Sequence, residues 1–273
     1  MTSPAPTLQS GRQFASLVGN LDFGTTAGDY AKYRAGFPAK LFDRLASSFQ
    51  VGLPGQRILD LGTGTGTLAR GFALRGANAT GLDPSRPMLD AARGLDAEVA
   101  ASVTYVVGTA EDTGLPASSF DVVTAGQCWH WFDPDRAAAE VRRVLVPGGT
   151  VALCSFDWVL MPGNVIDLSE RLIKRHNPAW NLGNYHGVHG EYIKPIALAG
   201  FTHVETFSFD LDQPYTHEAW RGRIRASAGI GATLSAEAVA AFDLEHAEAL
   251  AREFPDPLTA LHRCFALVAR SPR

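Results

Sequence analysis

Arg57-Ile58-Leu59-Asp60-Leu61-Gly62-Thr63-Gly64-Thr65-Gly66 is the stretch that decides how this chain folds. Its first half is a short apolar run, the pattern of a strand buried on both faces. Its second half sets three glycines at alternate positions where that strand meets the helical periodicity of residues 68–75. Glycine tolerates positive φ and lets another group approach the backbone closely. The open N–H groups of a helix beginning there favour a polar or anionic ligand. A dinucleotide fingerprint would need its third glycine at position 67, which is Thr67, and no Gly-Lys-Ser/Thr follows to make a nucleotide-triphosphate loop.

Working outward, strand-like runs at 57–61, 79–83, 103–107, 121–125 and 150–156 alternate with helical periodicity at 68–75, 88–93 and 136–146. Short apolar strands separated by amphipathic helices predict a parallel sheet covered on both faces. Further strands at 202–211 and 264–269 bring the expected fold to a Rossmann-like, doubly wound, seven-stranded, mostly parallel α/β sheet. The helix reaching Val146 is expected to stop at Pro147-Gly148-Gly149. Residues 30–49 read as a helix ended by Pro54-Gly55, and 1–28 as a flexible N-terminal arm. Residues 29–273 are then one domain, with a core at about 55–156 and helical cap insertions at about 157–200 and 214–256.

The composition of the 273 residues, 46% hydrophobic and 19% charged, supplies a sizeable core and shows no bias toward disorder. A net charge of −4 with mixed signs argues against a nucleic-acid partner, which needs a concentrated basic field. Cys128, Cys154 and Cys264 are odd in number and widely spaced, as thiols of a reducing compartment are. The N-terminal MTSPAPTLQSGRQFASLVG has no apolar targeting core and no stretch has membrane-span length, so a cytoplasmic location without a membrane partner is expected.

The acids around the glycine turn narrow the ligand. Asp60, ending the first strand, suits an ammonium group and would repel a pyrophosphate. Asp83, at the tip of the second strand in Gly81-Leu82-Asp83-Pro84-Ser85, suits bidentate acceptance from ribose hydroxyls, or caps the following helix. Gly108-Thr109-Ala110-Glu111-Asp112 can offer an amide and an acid to an adenine edge, or is a solvated acidic loop. Ammonium, ribose and adenine without phosphate describe S-adenosylmethionine, whose product after methyl transfer is S-adenosylhomocysteine.

ILDLGTGTGTLA (58–69), GLDPSRPML (81–89), GTAEDTGLP (108–116), SFDVVTAGQCWHWFD (119–133) and VLVPGGTVAL (144–153), with DYAKYRAGFP (29–38) upstream, resemble the motifs of class I S-adenosylmethionine-dependent methyltransferases. The resemblance is to the small-molecule type that includes the ubiquinone/menaquinone and trans-aconitate enzymes. It implies that Gly62, Thr63, Gly64 and Gly66 line the methionine moiety, with Asp60 behind its amino group. Asp83 and Pro84 would serve the ribose, Met88 would flank the adenine, and Ala110 with Glu111 would meet the base. Tyr30, Tyr33 and Arg34 would approach sulfonium and carboxylate, Tyr30 also standing as a catalytic candidate, and Gln127 would contact cofactor or acceptor.

Methyl transfer is in-line displacement at an activated carbon, so alignment and exclusion of water dominate, and a base is needed only if the acceptor must lose a proton. His130 is the best base candidate, since histidine titrates near neutrality. Trp129, His130, Trp131 and Phe132 read equally as a stacking wall for a flat acceptor. Trp180, Tyr185 and His186 in the first insertion are further acceptor-pocket candidates. No carboxylate or thiol set completes a metal site with His186 and His189. Arg221, Arg223 and Arg225 can receive an acidic substrate, although their spacing favours solvent exposure for at least one. The expected function is methyl transfer to an O, N or C atom of a small organic acceptor. Its alternatives are a cofactor-retaining, non-methylating pericyclase-like or binding protein, and a protein or RNA methyltransferase.

Overall fold

The computed structural model describes residues 36–180, 186–227, 229–231 and 233–273. Its first described helix is α1 (Ala39–Phe49). The decisive stretch forms β1 (Arg57–Leu61) and turns into α2 (Thr67–Ala73), followed by β2 (Asn78–Asp83), α3 (Arg86–Glu98), β3 (Val103–Val107) and β4 (Phe120–Gly126). Next come α4 (Pro134–Val144), β5 (Leu145–Trp158), α5 (Val165–His176), α6 (Ile193–Leu198), β6 (Thr202–Tyr215), α7 (His217–Arg225), α8 (Ala236–Glu253) and β7 (Leu258–Arg270). One seven-stranded sheet runs β3-β2-β1-β4-β5-β7-β6, parallel except for β7, which is antiparallel to both neighbours. Strand order reverses between β1 and β4, the place where open α/β sheets take their ligands.

Alternation along the strands builds two apolar faces from one sheet. Ile58, Val122, Ala152, Cys154, Ala266 and Val268 pack with Leu41, Phe42, Leu68 and Phe72 of α1 and α2. Leu59, Leu61, Val123, Ala125, Val151, Leu153, Phe265 and Leu267 pack with Val141, Val144 and Ile196 on the other face. Asp60 shares the Ile58 face, so an acid takes an apolar position on an interior strand paired on both edges. The ends of β1 and β2 are in register, Leu61 opposite Leu82, which brings Asp60 and Asp83 to the same edge.

A third apolar cluster joins Val165, Leu172 and Ile173 of α5 to Trp220 and Ile224 of α7 and Phe242 and Leu250 of α8. The Trp220 indole is fully buried and donates to Ser169 Oγ at 2.9 Å, and the His246 Nε2 lies 3.0 Å from the same hydroxyl. Helix α5 falls in the insertion at about 157–200. Asn164 caps it, accepting from the Asp167 N–H at 2.9 Å.

The expected stop of α4 is corrected. The helix ends at Val144, and Pro147-Gly148-Gly149 lies inside β5. Leu145 already pairs with Phe120, and the ladder resumes only at Thr150 opposite Val122, so the breaker residues form an irregularity in the strand.

Replacing Trp220 by alanine should destabilise the chain by about 3–5 kcal/mol in urea denaturation, because a large ring leaves a cavity between α5, α7 and α8. A loss below about 1 kcal/mol would contradict this packing.

Candidate functional site

The glycine turn has φ of 58° at Gly62, 55° at Gly64 and 77° at Gly66, so its path is left-handed at each glycine. Gly66 is the N-cap of α2, and a Cβ there would stand 2.2 Å from the Tyr105 hydroxyl. At Gly62 a Cβ would stand 2.9 Å from Cys128 Sγ, because the loop after β4 lies against the turn. Backbone hydrogen bonds from Thr63 N–H to Leu82 O and from Gly66 N–H to Thr63 O close it, at 3.0 and 2.8 Å. Beneath it Arg70 donates to Thr65 O at 2.7 Å and pairs with Asp96 at 2.6 Å, tying α2 to α3.

Asp60 is buried, and its two oxygens accept from the Thr63 hydroxyl at 2.6 Å and the Thr124 hydroxyl at 2.7 Å. Burial pushes its carboxyl up to about 6, against the lowering effect of those two hydroxyls. Asp83 accepts from the Gly64 N–H and from the Ser85 N–H, both at 2.9 Å. It thereby holds the turn on one side and the entrance to α3, with Pro84 between, on the other. Burial raises its pKa too. Met88, buried in α3, lies below the turn, its Cε 3.4 Å from where a Gly64 Cβ would be.

In the loop after β3, Ala110 is buried in the core, and Glu111 accepts from the Asp133 N–H at 2.9 Å. That contact couples the loop after β3 to the loop after β4. In the latter, the Cys128 thiol donates to Leu61 O at 3.1 Å, which fixes the loop on the end of β1. Trp129 is only 3% exposed and packs edge-on to Phe132, so it belongs to the core, and its indole N–H is buried without a hydrogen-bond partner among the described residues. His130 and Trp131 are half-buried, ring centroids 4.7 Å apart, and His130 Nδ1 lies 3.4 Å from the Tyr192 hydroxyl. Gln127 has φ of 57°, and its side-chain amide donates to Phe156 O at 2.6 Å and Asp157 Oδ1 at 3.2 Å.

Gln127 leads to a group the sequence did not disclose. His189 is 3% exposed, with Nε2 2.8 Å from Asp157 Oδ2 and Nδ1 3.2 Å from Glu191 Oε1. Its ring stacks on Tyr192 at 4.8 Å. Burial works to lower the His189 pKa, but the two carboxylates outweigh it and push it up to about 9. Asp157 moves below its ordinary value: burial opposes this, and the His189 contact prevails. An imidazolium between two carboxylates therefore stands beside the His130–Tyr192 pair. Only the side-chain order Asp157…His189…Glu191…Tyr192, spread over 36 residues, hints at it in the sequence.

The remaining candidates separate. Trp180 donates from its indole N–H to Glu170 at 3.1 Å and packs at the third cluster. His186 is exposed, its carbonyl accepting from Arg263 at 3.1 Å. Tyr30, Tyr33, Arg34 and Tyr185 lie outside the described residues. The expectation that at least one α7 arginine is exposed is corrected: Arg221, Arg223 and Arg225 are all half-buried, because Asp243 of α8 draws two of them inward. Among the described residues no group of His, Cys, Asp or Glu could hold a metal, and no helix is long and apolar enough to cross a membrane.

Because the folded His189 value lies above the ordinary 6.5, the stabilisation it brings is complete below about pH 6.5 and is lost as pH rises through about 9. Chemical denaturation at both ends of that window should show a decline of about 3 kcal/mol at most that His189→Gln lacks. The same decline in the variant would remove His189 as its source.

Comparison with known proteins follows the same residues. A family model described as "Methyltransferase domain" matches 59–153. An uncharacterized methyltransferase of Mycobacterium tuberculosis is 37% identical over 153 residues, 54% of this chain and 59% of the relative, so the match spans under two thirds of that protein's length. A ubiquinone biosynthesis O-methyltransferase of Xanthomonas campestris pv. campestris is 30% identical over 65% of this chain and 73% of its own length. Among solved structures, one from Anaeromyxobacter dehalogenans described as a candidate Type II methyltransferase superposes with a TM-score of 0.61 at 26% identity, over 88% of this chain and all of the other. The chain belongs to the class I S-adenosylmethionine-dependent methyltransferases.

Proposed function

We propose that this chain transfers a methyl group from S-adenosylmethionine to an O, N or C atom of a small organic acceptor. The observation that carries the reading is the pair of buried acids on adjacent strand ends, Asp60 and Asp83, clasping a glycine turn of left-handed backbone. The residues suit that cofactor: negative charge at both strand tips favours a cationic, phosphate-free ligand. S-adenosylmethionine, when bound, supplies a methyl carbon already activated by its sulfonium.

In this reading Asp60, held by two threonine hydroxyls, faces the amino group through the turn, and Asp83 accepts from ribose hydroxyls with the lone pairs its backbone contacts leave. Gly62, Thr63, Gly64 and Gly66 give the methionine end close access to backbone, with Met88, Pro84, Ala110 and Glu111 around the base. His130 and Trp131 wall the acceptor side. His130 stands near a hydroxyl (Tyr192) and two carboxylates, Asp157 and Glu191, both of which feel its charge. It is accordingly suited to hold or accept an acceptor proton. Residues 157–200 and 214–256 act as caps over that side, and the small acceptor agrees with the net charge of −4, which offers no field for RNA.

The test is transfer of labelled methyl from S-adenosylmethionine to a small-metabolite extract. Label should appear in a low-mass product, and Asp83→Ala should weaken cofactor affinity about 10- to 100-fold, the worth of hydrogen bonds to a charged group. Cofactor binding without label in any product favours the non-methylating alternative, and label in protein or RNA sinks the small-acceptor reading.

A further inference from the structure

The three arginines of α7 have different occupations. Arg221 and Arg225, one helical turn apart, both bind Asp243 of α8, and Arg225 also pairs with Glu218 at 2.9 Å. Arg223 points away from that side. Its guanidinium lies 4.7 Å from the ring centroid of Trp158, the last residue of β5, and it makes no hydrogen bond or ion pair with any described residue. A cation–π contact engages the face of a guanidinium and leaves its edge, with five N–H donors, unpaired. Burial lowers the Arg223 pKa from its ordinary value, with Tyr215 and Asp157 opposing through space, so the cation is desolvated without a partner in contact.

Its position gives the edge a use. Trp158 follows Asp157, which Gln127 reaches from the loop after β4, and the neighbouring Cys128 lies on the glycine turn. Arg223 thus stands at the carboxyl end of β5, close enough to Asp157 for that carboxylate to act on it through space. We propose that Arg223 is the specificity-determining anchor for a carboxylate group on the acceptor. The assignment rests on the methyltransferase reading above and names its substrate class. A planar guanidinium fork braced on an indole matches a carboxylate with two parallel N–H···O bonds. Charge nearby chooses between anions: Asp157, the carboxylate that acts on Arg223 through space, disfavours a doubly charged phosphate more than a singly charged carboxylate.

Calorimetric titration of the full chain, with and without saturating S-adenosylhomocysteine, decides it. The probes are matched acids and amides, benzoate with benzamide and succinate with succinamide, and inorganic phosphate. At least one acid should bind about tenfold or more tighter than its amide and tighter than phosphate. Arg223→Met should abolish that preference, Arg223→Lys should keep part of it, and neither should change S-adenosylhomocysteine affinity. Equal binding of acid and amide, stronger binding of phosphate, or a preference that survives in Arg223→Met overturns the assignment. Failure of S-adenosylhomocysteine to bind would instead count against the methyltransferase reading, and the titration without it still judges Arg223.

Discussion

A carboxylate buried at the centre of a sheet is costly unless every oxygen is satisfied, and Asp60 is the point at which this fold meets that cost. Its two oxygens accept hydrogen bonds from the hydroxyls of Thr63 in the turn and Thr124 in β4, so one side chain ties β1, the glycine turn and the strand across the topological switch. Asp83 does the equivalent work from β2 by gripping the Gly64 N–H. The left-handed glycines are thus fixed between two acids of different strands, with the Arg70–Asp96 pair below. The contacts that fix the turn also place two acids against it.

From that centre the loop after β4 carries the geometry outward. Cys128 bonds to the end of β1, Gln127 bonds to the end of β5, and Glu111 secures Asp133 where α4 begins. The same loop sets the half-buried His130 between Trp131 and Tyr192. In the proposed reading the acids Asp60 and Asp83 serve the cofactor side, and Arg223 on its indole supplies a cation for the acceptor. The third apolar cluster, built on Trp220, sets α7 and therefore the direction in which Arg223 points.

Much of this was legible because it is local. Strand periodicity, the register that puts glycine at 66 and Thr67 after it, and acids at strand tips all lie within a few residues of the turn, and β1 and β3 end where the pattern says. The clustering of Asp157, His189, Glu191 and Tyr192 was not legible, since their meeting depends on how two separate segments pack against β5. Within the insertion at about 157–200, where helix was expected without bounds, Asn164 and the spacing Val165, Ile166, Leu172, Ile173 are the capped amphipathic signal that places α5, interrupted by the polar residues between. Pro147-Gly148-Gly149 misled because a breaker marks a local irregularity, and only the pairing of Leu145 with Phe120 reveals that the strand has already begun. The arginines misled in the same way, because Asp243 lies on another helix.

If the turn and its two acids select S-adenosylmethionine and not a dinucleotide, S-adenosylhomocysteine binds where NADH does not. Calorimetric binding of S-adenosylhomocysteine and of NADH to the same preparation tests it most directly. Saturable binding of S-adenosylhomocysteine with no heat from NADH is the expected result. Saturable NADH binding, or no binding of S-adenosylhomocysteine, would contradict the account.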